Sequence, residues 1–177
     1  SDFVYNLHFK IPEEKNKPIE SKLKLTFYLN NLNENLLLDF NEDFSKLISI
    51  NINGKKEAFN FRNEHIILSN KTQLTLGENT IEIFFDAGEK SLNRNDEFLY
   101  TLLVPDRAST LFPCFDQPDI KANYNLQITA PKDWKVLAGA FEESAIELDG
   151  FIEHVFATSD LMSTYLFSFV AGKFTEV

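Results

Sequence analysis

The sequence predicts an all-β fold, an antiparallel sandwich of several sheets. Three observations carry that expectation. Apolar residues recur at every second position in short runs, the period of a half-buried strand. Aromatic and β-branched residues fill those runs, with 18 phenylalanines in 177 residues, and such side chains suit a pleated surface better than a helix. About a dozen short strands account for the chain, and no stretch reads as a helix.

Taken in order, Phe3, Tyr5, Leu7 and Phe9 alternate with Val4, Asn6, His8 and Lys10 in a first strand. Residues 11–21 are polar and contain proline, hence a loop. Leu23, Leu25, Phe27 and Leu29 alternate with Lys22, Lys24, Thr26 and Tyr28, the clearest strand of the first half. Residues 36–40 make a third and residues 47–52 a fourth. The latter is closed by Asn53-Gly54, a strong hairpin signal because both residue types tolerate positive φ. Residues 58–61 are expected to pair back across that turn. Residues 66–68 are a short strand, Gly77-Glu78-Asn79 a turn, and residues 80–85 a strand with Ile81, Ile83 and Phe85 inward. Residues 86–97 are polar and acidic and read as a surface loop, and residues 98–104 are extended into Pro105. Ala122, Tyr124, Leu126 and Ile128 alternate with Asn123, Asn125, Gln127 and Thr129. Pro131-Lys132-Asp133-Trp134 reads as a turn, with Trp134 capping an apolar edge. Strands over 136–140, 145–148, 151–157 and 165–170 complete the set. No repeat or composition shift marks a boundary, so residues 1–177 read as one domain.

Between residues 104 and 121 the chain must turn a corner. Pro113 and Pro118 lack N–H donors and push the residues before them toward extended geometry, which excludes a helix or a central strand. Leu111, Phe112 and Phe115 are too apolar for a loop free in water. The corner is therefore expected to be ordered and pinned to a core by these side chains.

A chain of this length buries roughly 70% of its unfolded surface and needs no staple. Its single cysteine, Cys114, permits no internal disulfide. The charge balance, 17 basic against 27 acidic residues, offers no basic stripe for nucleic acid or an anionic membrane surface. No apolar run reaches the roughly 18 residues of a membrane span. The opening Ser1-Asp2-Phe3-Val4 lacks the basic start and apolar centre of a signal peptide. With no initial Met, a trimmed or excised form is expected.

The sequence offers no constellation of reactive groups. A catalytic zinc needs three protein ligands, and His8, His65 and His154 fall on separate expected strands with no pair four apart on a helix. Cys114 sits between Pro113 and Phe115, without a base or cation to activate the thiol, and reads as a small buried hydrophobe. Asp116 and Asp119 could approach the spacing of a hydrolytic carboxylate pair, but loop aspartates commonly bond nearby backbone instead. None of the six glycines falls in a phosphate-binding spacing.

The run Phe112-Pro113-Cys114-Phe115-Asp116-Gln117-Pro118, followed by Lys121-Ala122 and an alternating strand, resembles a signature in the N-terminal domain of M1-family zinc aminopeptidases, the aminopeptidase N-like enzymes. The segment from Asp133 to Gly139 resembles the family's stretch after that strand, and Ser163 to Gly172 resembles the close of the same domain. The likeness covers residues 97–172. It implies a saddle-shaped, mostly antiparallel domain that docks on a thermolysin-like catalytic domain. The zinc ligands and catalytic glutamate are then expected downstream of Val177, with no cofactor held by this chain. In such enzymes a Gln or Glu of the N-terminal domain binds the free α-amine of the peptide substrate, eight residues before the Phe of the Phe-Pro-Cys run. That position falls on Val104, which has no acceptor, so the role does not carry over. Asp106, two residues on, is the substitute candidate, because a carboxylate attracts a desolvated ammonium. The plainer reading is that Asp106 caps the turn after Pro105.

Two functions follow. The resemblance implies a non-catalytic N-terminal domain of a zinc aminopeptidase that helps close the cleft for the peptide N-terminus. The alternative is a stand-alone β-sandwich module for carbohydrate or protein, which would want exposed aromatics on one sheet face, with Trp134, Tyr28 and Tyr100 as candidates.

Overall fold

A computed structural model describes residues 3–69 and 73–175, so the opening Ser1-Asp2 lies outside the described residues. The chain forms β1 (Phe3–Lys10), β2 (Glu20–Leu29), β3 (Leu36–Asp39), β4 (Leu47–Ile52), β5 (Lys55–Glu57), β6 (Asn60–Arg62), β7 (His65–Leu68) and β8 (Gly77–Asp86). After these come β9 (Leu92–Arg94), β10 (Phe98–Thr101), β11 (Lys121–Pro131), β12 (Lys135–Ala138), β13 (Glu142–Leu148), β14 (Phe151–Phe156), β15 (Met162–Ser163) and β16 (Phe169–Gly172). Short 3₁₀ turns cover Phe44–Lys46, Ala108–Thr110 and Thr164–Leu166.

Among the described residues the strands make three sheets. A nine-stranded sheet runs in the order β13-β14-β11-β1-β2-β8-β4-β5, with β15 on β11. A four-stranded sheet runs β12-β16-β10-β9, and a three-stranded sheet β3-β7-β6. One described ladder, β1 on β11, is parallel. It joins segments more than a hundred residues apart, which a two-residue hairpin cannot do.

Alternation decides what is buried. Tyr5, Leu7 and Phe9, then Leu23, Leu25 and Phe27, then Ile81, Ile83 and Phe85, lie on the inner face of the large sheet. Ala122, Tyr124, Leu126 and Ile128 continue it. The smaller sheets cover this face. Phe169 packs on Phe9 at 5.1 Å between ring centroids, and Phe40, just past β3, packs edge-on against Phe85 at 5.9 Å. A slip of one residue in any of these strands would turn its apolar set to water, so the register is strongly specified.

Several expectations need correction. Residues 58–61 do not pair across the Asn53-Gly54 turn. Asn53 (φ 50°) and Gly54 (φ 79°) form it, and Lys55–Glu57 pairs back on β4 directly, as a two-residue loop requires. Residues 60–62 cross to β7 instead. Gly77-Glu78-Asn79 is not a turn but the start of β8, paired with Leu29, Tyr28 and Phe27. The buried Asn79 side chain accepts from the Thr75 N–H at 2.9 Å and donates to the Thr75 carbonyl at 2.7 Å. It shapes the preceding loop while its own backbone stays in the ladder. Within the expected loop 86–97, Leu92–Arg94 joins β10 as a strand. Tyr165 and Leu166 lie in a 3₁₀ turn, and the last strand begins at Phe169. Trp134 is buried, its N–H bonded to the Pro131 carbonyl at 2.9 Å in the expected turn. Among the described residues no helix is long and apolar enough to cross a membrane.

Where β8 ends, Gly88 passes against the corner. Its N–H donates to the Leu111 carbonyl at 3.0 Å, and a Cβ there would lie 1.8 Å from the Thr110 carbonyl oxygen. That neighbour is backbone and cannot swing aside. Gly88→Ala should therefore cost about 3 kcal/mol or more. Gly139→Ala, with nothing within 4 Å of the new methyl, should stay within about 0.5 kcal/mol. Equal urea midpoints for the two variants would contradict this packing.

Candidate functional site

The corner is built around two carboxylates. After β10 the chain turns at Val104–Arg107, with the Arg107 N–H donating to the Val104 carbonyl at 3.1 Å and Asp106 at φ 70°. The 3₁₀ turn Ala108–Thr110 follows, and then Leu111 through Asp116 are all buried. Phe112 stands edge-on to Tyr5 at 6.1 Å and Phe167 at 5.3 Å. Phe115 packs on Phe3 at 5.1 Å and Phe27 at 6.3 Å. The Asp116 carboxylate, 3% exposed, accepts from the Ser109 N–H and from the Thr164 hydroxyl, each at 2.8 Å. Asp39, at the end of β3, accepts from the Asp116 N–H and the Gln117 side-chain amide, each at 3.0 Å. Its backbone pairs with Cys114 at 2.8 and 3.0 Å. The Phe115 N–H donates to the Tyr5 hydroxyl at 3.0 Å, and the Ser163 hydroxyl donates to the Pro118 carbonyl at 2.6 Å.

None of these groups is arranged for reaction. Asp119 is exposed while both Asp116 oxygens are bonded, so the two form no hydrolytic pair. Burial, then the charges of Asp116, Asp39 and Asp106, push the Cys114 thiol well above its ordinary range. A thiol held protonated is a poor nucleophile. His8, His65 and His154 lie on β1, β7 and β14, and no group of three or more His, Cys, Asp or Glu among the described residues could hold a metal.

Leading into the corner, β10 and the three residues after it present a bare apolar face. Leu99, Thr101 and Leu103 point into the core, so Tyr100, Leu102 and Val104 point out. Leu102 is 59% exposed and Val104 48%. Register sets Leu137 of β12 and Val170 of β16 in line with Tyr100, and Leu137 is 64% exposed. Val104 therefore stands on this face, with exposed Asp106 on the turn at its tip. The three aromatics considered for a carbohydrate platform do not come together. Trp134 is buried, Tyr28 lies on the nine-stranded sheet and Tyr100 on the four-stranded one.

Sequence reasoning found Phe112, Phe115 and Asp116 but missed their partners, Tyr5, Asp39, Ser109 and Thr164. Tyr5 carried a signal, since a phenol buried on an apolar strand face usually finds a hydrogen-bond partner. Asp39 and Thr164 carried none, for their partners are 77 and 48 residues away.

Among the described residues the scaffold is a three-sheet β domain with a proline-bounded, carboxylate-tied corner. The chain belongs to the Peptidase M1 N-terminal domain family, whose model matches residues 2–166. It is 38% identical to mouse glutamyl aminopeptidase over 74 residues, which is 41% of this chain and 8% of that protein. It is 30% identical to aminopeptidase 2 of Candida albicans over 90 residues, 50% of this chain and 10% of that protein. The chain thus matches about a tenth of the length of these relatives. An M1 zinc metallopeptidase from Deinococcus radiodurans superposes with a TM-score of 0.81 at 16% identity, over 96% of this chain and 41% of that one. Legionella pneumophila aminopeptidase A, in complex with aspartic acid, gives 0.81 at 23% identity, over 97% of this chain and 21% of that one. At those identities the superpositions show the fold.

The corner's ionisable neighbours make a pH profile testable. Burial is the largest cause raising Tyr5, Cys114 and Tyr124 above their ordinary values of 10.0, 9.0 and 10.0. A raised folded-state pKa means the unfolded chain releases the proton first. Stability is then intact below about pH 9 and falls above it by up to about 1.4 kcal/mol per pH unit for each group. The Tyr124 hydroxyl has no hydrogen-bond partner among the described residues. Tyr124→Phe should therefore shift stability by less than about 1 kcal/mol at pH 7 and flatten the alkaline slope by about one proton's worth. Urea midpoints between pH 7 and 11 measure both, and a flat wild-type profile would contradict the burial of these groups.

Proposed function

We propose that this chain is the non-catalytic N-terminal domain of an M1-type zinc aminopeptidase, packed on a catalytic domain and helping to close the cleft that receives the peptide N-terminus. The observation that carries the reading is the bare apolar face of the four-stranded sheet around Tyr100, Leu102, Val104, Leu137 and Val170. Contiguous apolar surface of this kind marks a contact with another body. The aminopeptidase names of the relatives support a catalytic domain as that body. The zinc and its ligands would belong to the downstream domain; among the described residues no cluster of His, Cys, Asp or Glu could hold a metal. At the edge of the face Val104 offers an ammonium group nothing, whereas Asp106 brings a carboxylate to the turn tip. Asp106 is the residue proposed to meet the substrate α-amine.

The experiment is reconstitution. The 177-residue chain should co-purify with the separately expressed catalytic domain of its parent. Leu102→Asp should abolish that association without moving the melting temperature of the isolated chain, since the side chain is exposed. Asp106→Ala in the full-length enzyme should raise KM for amino-acid amides about tenfold, the loss of one charge-assisted bond. Unimpaired association of the Leu102 variant would remove the docking face, and zinc-dependent hydrolysis by the purified chain alone would remove the non-catalytic assignment.

A further inference from the structure

The face of the nine-stranded sheet opposite the core carries a groove of about 480 Å³. Register assembles its floor. Asn6 on β1 lies between Lys24 on β2 and Asn125 on β11, and His8 lies between Lys22 and Gln127. Two rows of three outward side chains result, on strands about 4.8 Å apart. The Asn6 amide donates to the Lys24 carbonyl at 3.1 Å, and the Asn125 amide donates to the Asn6 side-chain oxygen at 2.9 Å. The Thr158 hydroxyl donates to the Asn125 side-chain oxygen at 2.6 Å. These bonds fix both carboxamide planes, and each NH₂ keeps a second N–H to offer.

Charge is divided across the groove. The floor holds two lysines and no acid, in a chain of net charge −10. Lys22 is shared with Glu82 at 3.6 Å and rests over the Phe84 ring at 5.2 Å, while Lys24 is exposed. The opposite wall holds Glu143, which falls in the register shift between Glu142 and Ser144 on β13. A bulge re-aims the side chain it carries, and strand bulges of this kind recur beside binding sites.

We propose that this groove binds a short zwitterionic peptide in extended form. Its terminal carboxylate sits at Lys22 and Lys24, its backbone lies over Asn6, Asn125 and Gln127, and its α-ammonium meets Glu143. From β2 to β13 is four strand spacings, about 19 Å. A peptide of four or five residues spans about 14 to 18 Å at up to about 3.5 Å per residue, and the long lysine and glutamate side chains reach inward over the remaining few ångström. Carboxamides match peptide N–H and C=O groups alike. No exposed aromatic ring lines the groove itself, and the half-exposed Phe84 ring beside it lies under Lys22, so a peptide is favoured over a glycan. The site is on the opposite side of the sheet from the four-stranded docking face and stands independently of it.

The test is a titration of the isotopically labelled chain with tetra-alanine, followed by two-dimensional NMR. Saturable shifts are expected at the side-chain amides of Asn6, Asn125 and Gln127. Tetra-alanine acetylated at one end and amidated at the other should bind at least about tenfold more weakly, having lost two charge-assisted contacts. Lys24→Ala and Glu143→Gln, both at exposed positions, should each weaken the free peptide by about tenfold. Absence of saturable shifts, equal binding of the capped peptide or of maltotetraose, or wild-type affinity in the Lys24 variant would overturn the assignment.

Discussion

A buried carboxylate costs several kcal/mol unless hydrogen bonds replace its water. Asp116 obtains those bonds from two places that the chain reaches far apart. One is the Ser109 N–H at the start of the corner, and the other is the Thr164 hydroxyl, 48 residues after Asp116. Three segments are thereby tied at one point. Asp39 does the same from the opposite side, accepting from Asp116 and Gln117 and joining the three-stranded sheet to the corner through its backbone pair with Cys114. The strands that flank this knot, β10 before it and β16 after Thr164, are the two central strands of the four-stranded sheet. The bare face proposed to dock is therefore held on the same rigid support.

That support was partly legible. Period-two alternation located the strands that face the core, because a half-buried strand must sort its side chains by side. The two prolines announced an ordered corner, and Phe112 and Phe115 announced that it was anchored. What failed were the places where a side chain overrides a local rule. Gly77 and Asn79 have turn-forming chemistry, yet the buried Asn79 amide satisfies the adjacent loop from within a strand. Residues 58–61 resemble a return strand because three of the four, Ala58, Phe59 and Phe61, are apolar. The short polar Lys55–Glu57 takes that place because the two-residue turn delivers it first. The parallel pairing of β1 with β11 had no sequence signal, since register between distant segments is set by packing.

At the site the division was similar. Asp116 could be named from its loop, but Thr164 and Asp39 could not, because long-range hydrogen bonds leave no local pattern. Val104 could be placed by counting back from Phe112, and the structure adds that it belongs to an apolar stripe with Leu102 and Tyr100. The groove on the opposite face was invisible for the same reason as β1 on β11. Asn6 and Asn125 become neighbours only through that parallel ladder.

The central claim is that the corner is a fixed wall and not a mobile loop, and native-state amide hydrogen exchange measures that directly. The amides of Ser109, Cys114, Phe115 and Asp116, all hydrogen-bonded to Asp116, Asp39 or Tyr5, should exchange only through global unfolding, with the same protection as the core of β11. Exchange at those four amides as fast as in an exposed turn, while β11 stays protected, would show the corner opening on its own and contradict the account.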